Sequence, residues 1–127
     1  MAKNKKVLIV DDDKGFLEEL EENLSLSGYD MVAVNDPVSF LPIALREKPD
    51  IVLLDLKMPG KSGFQLADEM SRLFELQNVP IIAMSAYFKD EYRMLMNVCG
   101  IKKCLKKPFN PLDVISEIEG ALAEKQF

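Results

Sequence analysis

Short runs of branched apolar residues punctuate the chain. Val7-Leu8-Ile9-Val10, Met31-Val32-Ala33-Val34, Ile51-Val52-Leu53-Leu54 and Val79-Pro80-Ile81-Ile82-Ala83-Met84 are continuous, and a weaker run spans Ile101 to Leu105. Ile51-Val52-Leu53-Leu54 reads as a strand buried on both faces, because a strand with one wet face alternates apolar and polar residues, and Val7-Leu8-Ile9-Val10 reads as a central strand. Between them the apolar spacing changes to that of helices. Phe16, Leu17, Leu20 and Leu24 form a stripe that opens at Asp13, a natural N-cap, and closes at Gly28. A second helix runs from about Pro37 to Glu47, and a start at Ser39 places Pro42 in the first turn, where proline is tolerated. Pro49 then breaks the chain. Ser62-Gly63-Phe64-Gln65 has capping-box spacing and opens a helix to about Phe74, with Phe64, Ala67, Met70 and Phe74 inward. A fourth helix covers about Lys89 to Val98 and ends at Gly100. The fifth is capped by Asn110, has Pro111 at its first position and should bury Leu112, Ile115, Ile118 and Leu122.

Five strands alternating with five helices through short loops predict an α/β fold, a doubly wound parallel sheet with helices on both faces. The first and third runs are the most apolar and should be neighbours at the centre. The second is shorter and belongs near an edge. The strand order 2-1-3-4-5 satisfies both, with its switch point between strands one and three. No linker or repeat divides the 127 residues, so residues 1–127 are read as one domain.

The composition, 48% hydrophobic and 29% charged, is that of an ordinary globular chain. A net charge of -5 argues weakly against direct binding to nucleic acid, which wants a basic face. No apolar run reaches membrane-spanning length, and the basic start, Met1 to Lys6, precedes too short an apolar stretch for a signal peptide. A cytoplasmic location follows as the expectation. There is no histidine and there are two cysteines, Cys99 and Cys104. Neither a disulfide framework nor a zinc set can be built from these, and the usual nucleophilic triads are excluded. Chemistry must then run on carboxylates, hydroxyls, lysines or a metal.

The strand ends supply such groups. Strand one delivers Asp11 and Asp12 to the carboxyl edge of the sheet, strand three Asp55, strand four Ser85 and strand five Lys107. Taken singly, an Asp at a strand end is usually a turn or capping residue, a Ser there a helix-entry residue and a Lys a solvated one. Together they converge on the crevice where open α/β sheets bind ligands. Three carboxylates in one crevice repel and call for a cation, and hard oxygen donors on a rigid edge suit Mg²⁺. With a lysine and a hydroxyl beside them, the set reads as a site for a transferred phosphoryl group, with an Asp as nucleophile.

The motifs Val7-Leu8-Ile9-Val10-Asp11-Asp12-Asp13, Val52-Leu53-Leu54-Asp55-Leu56-Lys57-Met58-Pro59-Gly60, Ile81-Ile82-Ala83-Met84-Ser85-Ala86 and Lys107-Pro108-Phe109, in this order and spacing, resemble the receiver domain of two-component response regulators. The resemblance extends from Val7 to about Leu122. It implies that Asp55 is the phosphoacceptor, that Asp12 ligates Mg²⁺ directly with Asp11 acting largely through water, and that Lys57 lends its backbone carbonyl to the metal. It makes Ser85 the switch hydroxyl and Lys107 the phosphoryl contact, and it implies a cis Lys107-Pro108 bond. The implied partners are a sensor histidine kinase or phosphotransfer protein docking near the first helix, and a downstream protein or an output domain, with a phosphorylation-dependent dimer as a further form. The implied activity is self-catalysed phosphotransfer and dephosphorylation, not turnover of a separate substrate. One position departs from the family: Cys104 stands where Tyr or Phe is usual, three residues before the lysine, and coupling to the output face should be altered. A haloacid-dehalogenase-like phosphatase using Asp11 and Asp13 is the rival reading, but it leaves Asp55 without a role. A pseudo-receiver that binds partners without phosphorylation is the third. No output domain follows Phe127, so either a single-domain regulator or a portion of a longer chain is expected.

Overall fold

The computed structural model describes residues 4–125, so the basic start at Met1–Lys3 and the last residues, Gln126 and Phe127, lie outside the described residues. The elements follow in the order β1 (Lys6–Val10), α1 (Lys14–Leu26), β2 (Asp30–Val34), a 3₁₀ turn (Pro37–Ser39), α2 (Phe40–Glu47), β3 (Ile51–Asp55), α3 (Gly63–Ser71), β4 (Ile81–Ser85), α4 (Glu91–Cys99), β5 (Lys103–Lys106) and α5 (Pro111–Lys125). The strands form one parallel sheet in the order β2-β1-β3-β4-β5. This is the expected doubly wound fold. Every residue of β3 and β4 is buried, and so is all of β1 after Lys6, whereas β2 and β5 are largely half-exposed edges.

The alternation of side chains along each strand builds two cores. Val7, Ile9, Ile51, Leu53, Ile82 and Met84 face α1 and α5, where Leu17, Leu20, Leu24, Val114 and Ile118 meet them. Leu8, Val10, Val52, Leu54 and Ala83 face the opposite layer, meeting Phe40 and Ala44 of α2, Leu66, Ala67 and Met70 of α3 and Met96 of α4. No helix among the described residues is long and apolar enough to cross a membrane.

The capping signals act as read. The Asp13 carboxylate accepts the Phe16 N–H at 3.1 Å. Ser62 and Gln65 form a reciprocal capping box, and Asn110 accepts the Asp113 N–H at 3.0 Å. Pro42 falls in the first turn of α2, after a 3₁₀ turn capped by Asp36. Two side chains expected inside are outside. Phe74 is 85% exposed because α3 stops at Ser71, and Leu76, in the turns that follow, takes the inner position. Leu112 is 75% exposed because the buried face of α5 is set by Val114 and Ile118. Two residues at 100° each carry Leu112 about 200° round the helix from Val114, toward solvent.

Gly63, the first residue of α3, packs directly on the end of β3. A Cβ there would lie 2.5 Å from the Asp55 carbonyl oxygen and 3.1 Å from the Leu56 Cα, both backbone atoms that cannot swing aside. The Gly63 N–H also donates to the Leu56 carbonyl at 3.2 Å. Gly63→Ala should therefore destabilise the fold by about 1–3 kcal/mol, the usual cost of overpacking. Urea unfolding should show this as a lower midpoint at unchanged slope, and amide shifts should move at Asp55 and Leu56.

Candidate functional site

The carboxyl ends of β1, β3, β4 and β5 meet at one crevice. Asp11 follows β1 directly and is held by its own backbone, with its N–H donating to the Val34 carbonyl at 3.1 Å. Its carboxylate has no exposed surface. One oxygen accepts the Asp13 N–H at 2.9 Å, and the other accepts the Lys107 ammonium at 2.5 Å. Asp12, beside it, is exposed. Asp55 ends β3 and is 6% exposed. One carboxylate oxygen from each of Asp11, Asp12 and Asp55 can be chosen so that all three lie within 4.8 Å of one another. At that separation, and at the effective dielectric typical of proteins, each fully charged pair repels by roughly 3 kcal/mol.

Lys107 is the counter-ion. Its Nζ lies 3.9 Å from Asp55 Oδ1 as well as against Asp11, and 4.2 Å from the centroid of the Phe16 ring. The Lys107 N–H donates to the Ser85 carbonyl at 2.8 Å, tying the lysine to the end of β4, and the Lys107-Pro108 bond is cis as the resemblance implies. One ammonium against three carboxylates leaves net negative charge. Burial, chiefly, and then the neighbouring Asp11 push the Asp55 carboxyl up to about 6; Lys107 and the Lys57 backbone N–H pull it down, and Asp12 adds to the rise. Three oxygen donors on two rigid strand ends, with excess negative charge and one wet side at Asp12, fit Mg²⁺, which takes carboxylate oxygens and keeps several waters.

Ser85 is brought to the same edge, but its hydroxyl is engaged elsewhere. It donates to the Tyr87 carbonyl at 2.6 Å and accepts the Tyr87 N–H at 3.1 Å. Asp13 is at the rim, committed to capping α1, so the D-x-D pairing of Asp11 with Asp13 that the rival phosphatase reading needs has no support. Cys104 sits on β5 opposite Ala83 of β4. With Phe88, Arg93, Met96, Asn97 and Lys106 it lines a hollow between α4 and β5. Both cysteines are free and half-buried, not buried, and burial pushes both thiols up. The sequence pattern shows Phe16 only in the apolar stripe of α1 and Gly63 only in a capping box. Their contacts with Lys107 and with the Asp55 backbone come from tertiary geometry. A glycine straight after a Ser N-cap was the one available hint.

Comparison with known proteins agrees with this geometry. The response regulator receiver domain model matches residues 7–119. Among solved structures, the CheY-like response regulator receiver domain protein of Methanospirillum hungatei is 26% identical, covers 98% of each chain and superposes with a TM-score of 0.91. The chemotaxis protein CheY4 of Vibrio cholerae is 24% identical, with 94% of this chain and 99% of that one covered and a TM-score of 0.90, a likeness of fold. A response regulator of Chloroflexus aurantiacus is 26% identical over 95% of this chain and 99% of its own, with a TM-score of 0.88. With nearly the whole chain matched and the acidic crevice at the expected strand ends, the protein belongs to the response regulator receiver domain family.

Proposed function

We propose that the chain is a cytoplasmic phosphoacceptor domain that takes a phosphoryl group on Asp55 from a sensor histidine kinase or phosphotransfer protein and signals through a change of conformation. The observation that carries this reading is the meeting of Asp11, Asp12 and Asp55 within 4.8 Å beside the Lys107 ammonium. A carboxylate oxygen of Asp55 attacks phosphorus, the P–N bond of the phosphohistidine breaks, and the imidazole leaves with its electron pair and takes up a proton. Asp11, Asp12, Asp55 and the Lys57 backbone carbonyl would hold Mg²⁺, which supplies charge neutralisation to the phosphoryl oxygens. Lys107, against Asp11 and 3.9 Å from Asp55, adds a second positive charge. The family is a signalling one, and nothing beyond self-catalysed transfer and hydrolysis is required of these residues.

The switch follows from Ser85. Its hydroxyl gives up the Tyr87 carbonyl, a hydrogen bond worth about 1 kcal/mol net, for a charge-assisted bond to a phosphoryl oxygen, roughly twice as strong. That difference is what lets phosphorylation bias one arrangement over the other. At Cys104 the side chain is too small to fill the hollow beside α4, so an aromatic there would add a contact that the present protein lacks.

Three outcomes follow. Wild-type protein incubated with acetyl phosphate or phosphoramidate and Mg²⁺ should gain one acid-labile phosphate by intact mass. Asp55→Asn should gain none, and chelation of the metal should suppress labelling; labelled Asp55→Asn would remove the assignment. The second concerns pH. Because the folded Asp55 holds its proton more tightly than an unfolded Asp does, the metal-free fold loses stability as pH rises from about 4 to 6 and stays lower above 6. Metal-free Asp55→Asn should thus be more stable than wild type at pH 7.5, by on the order of 2 kcal/mol, and equal to it near pH 4. Urea unfolding at the two pH values checks this, and added Mg²⁺ should close the gap at pH 7.5. Third, Cys104→Tyr should enlarge the phosphorylation-dependent amide shifts in α4 and β5. Identical shifts in both proteins would mean that residue 104 has no part in coupling.

A further inference from the structure

The Lys107 ammonium has three neighbours, and only two are carboxylates. Asp11 contacts it and Asp55 lies 3.9 Å away, while the face of Phe16 in the first turn of α1 lies 4.2 Å from it, well inside the range in which a ring quadrupole attracts a cation. The ring is itself held. Phe109, two residues after the lysine, meets it edge to face at 5.7 Å and 72°. The Phe16 N–H is bound by Asp13, whose own N–H is bound by Asp11. Acidic loop, cap, ring and ammonium therefore close into one circuit that returns to Asp11.

We propose that Phe16 is a positioning residue for phosphoryl transfer, acting through Lys107. A lysine is a point charge on a flexible four-carbon stem, and its place over a crevice is set by what surrounds the ammonium. Its ion pair with Asp11 draws on a carboxylate that a bound cation also claims. The ring attracts the ammonium without offering an anion that competes with the phosphoryl oxygens, so it keeps the charge over the crevice when the carboxylates turn to the metal. The competing route is on the same surface: Glu19, one turn further along α1, lines a groove with Phe16, Lys107, Pro108 and Phe109 and would draw a released ammonium away from Asp55. This role rests on the reading of Asp55 as the phosphoacceptor.

The test uses the whole chain and acetyl phosphate with Mg²⁺, so that docking of a protein partner plays no part. Phe16→Leu should slow the labelling of Asp55 about 3- to 10-fold, the rate equivalent of losing a partly buried cation–ring contact. Phe16→Tyr keeps the ring and should label at close to the wild-type rate. In a Lys107→Met background the Phe16→Leu change should have no further effect. In wild-type spectra the Lys107 ε-methylene protons should lie upfield, under the ring, and should return to ordinary lysine positions in Phe16→Leu. An unchanged rate in Phe16→Leu, the same penalty with and without Lys107, or unshifted ε-methylene protons in wild type would each overturn the role, and the last is read on the unaltered protein whether or not a variant folds. Wild type that accepts no phosphate from any donor would overturn the reading of Asp55 itself, and the Phe16 role with it.

Discussion

Two carboxylates that have lost nearly all their water, Asp11 and Asp55, face one ammonium, and the architecture is arranged around that imbalance. Buried charge is costly unless it is paired and hydrogen-bonded. Asp11 meets that condition fully, with a backbone N–H on one oxygen and Lys107 on the other. Asp55 meets it only in part. The lysine is nearer to Asp11 than to Asp55, and burial first, then the Asp11 and Asp12 charges, raise the Asp55 carboxyl toward neutrality. The crevice is thus short of positive charge at Asp55. On the proposed reading, a divalent cation would satisfy the carboxylates, and a phosphoryl group would give Lys107 and that cation a common partner.

The fold holds this arrangement through contacts made next to the site. The central strands β1, β3 and β4 are buried on both faces, so their ends are fixed by both cores at once. The backbone at Asp55 is pressed by Gly63, Asp11 is tied to the end of β2, and Lys107 is tied to the end of β4. The exposed Asp12, by contrast, leaves one side of the crevice open to water.

The sheet order, the central strands and the meeting of Asp11, Asp12, Asp55 and Lys107 at one edge were legible because they rest on local patterns: unbroken apolar runs, and polar residues at the points where those runs stop. Strand and helix ends were legible only roughly. β5 begins at Lys103 and not at Ile101, since Ile101 is buried through its side chain without joining the ladder, and α4 begins at Glu91 and not at Lys89. Phe74 and Leu112 were misplaced for different reasons. Phe74 fits the spacing of α3 but lies beyond its end at Ser71, whereas Leu112 lies within α5 but off the face that Val114 and Ile118 set, and only packing selects that face. What could not be read at all is the set of contacts between residues remote in sequence: the Phe16 ring on Lys107, the close approach of Gly63 to Asp55, and the Ser85 hydroxyl turned to Tyr87.

That last contact bears on how a change at the crevice would travel. The Ser85 backbone is fixed, buried in β4 and bonded through its carbonyl to Lys107, so only its hydroxyl is free to move. A hydroxyl that leaves Tyr87 frees a carbonyl and an N–H in the segment between β4 and α4, ahead of the α4 helix. Phe88 lies in that segment, edge to face with Tyr92 at 6.1 Å, and Tyr92 in turn meets Phe64 of α3 at 5.3 Å. The Arg93 guanidinium lies over the Phe88 ring at 5.3 Å. These rings are therefore the first packed group that such a change would reach, and they lead to α3 and α4 without passing through residue 104. A cysteine at that position is then compatible with a working switch, because the aromatic contacts that could move the α4 face are supplied from Phe88 and Tyr92 instead.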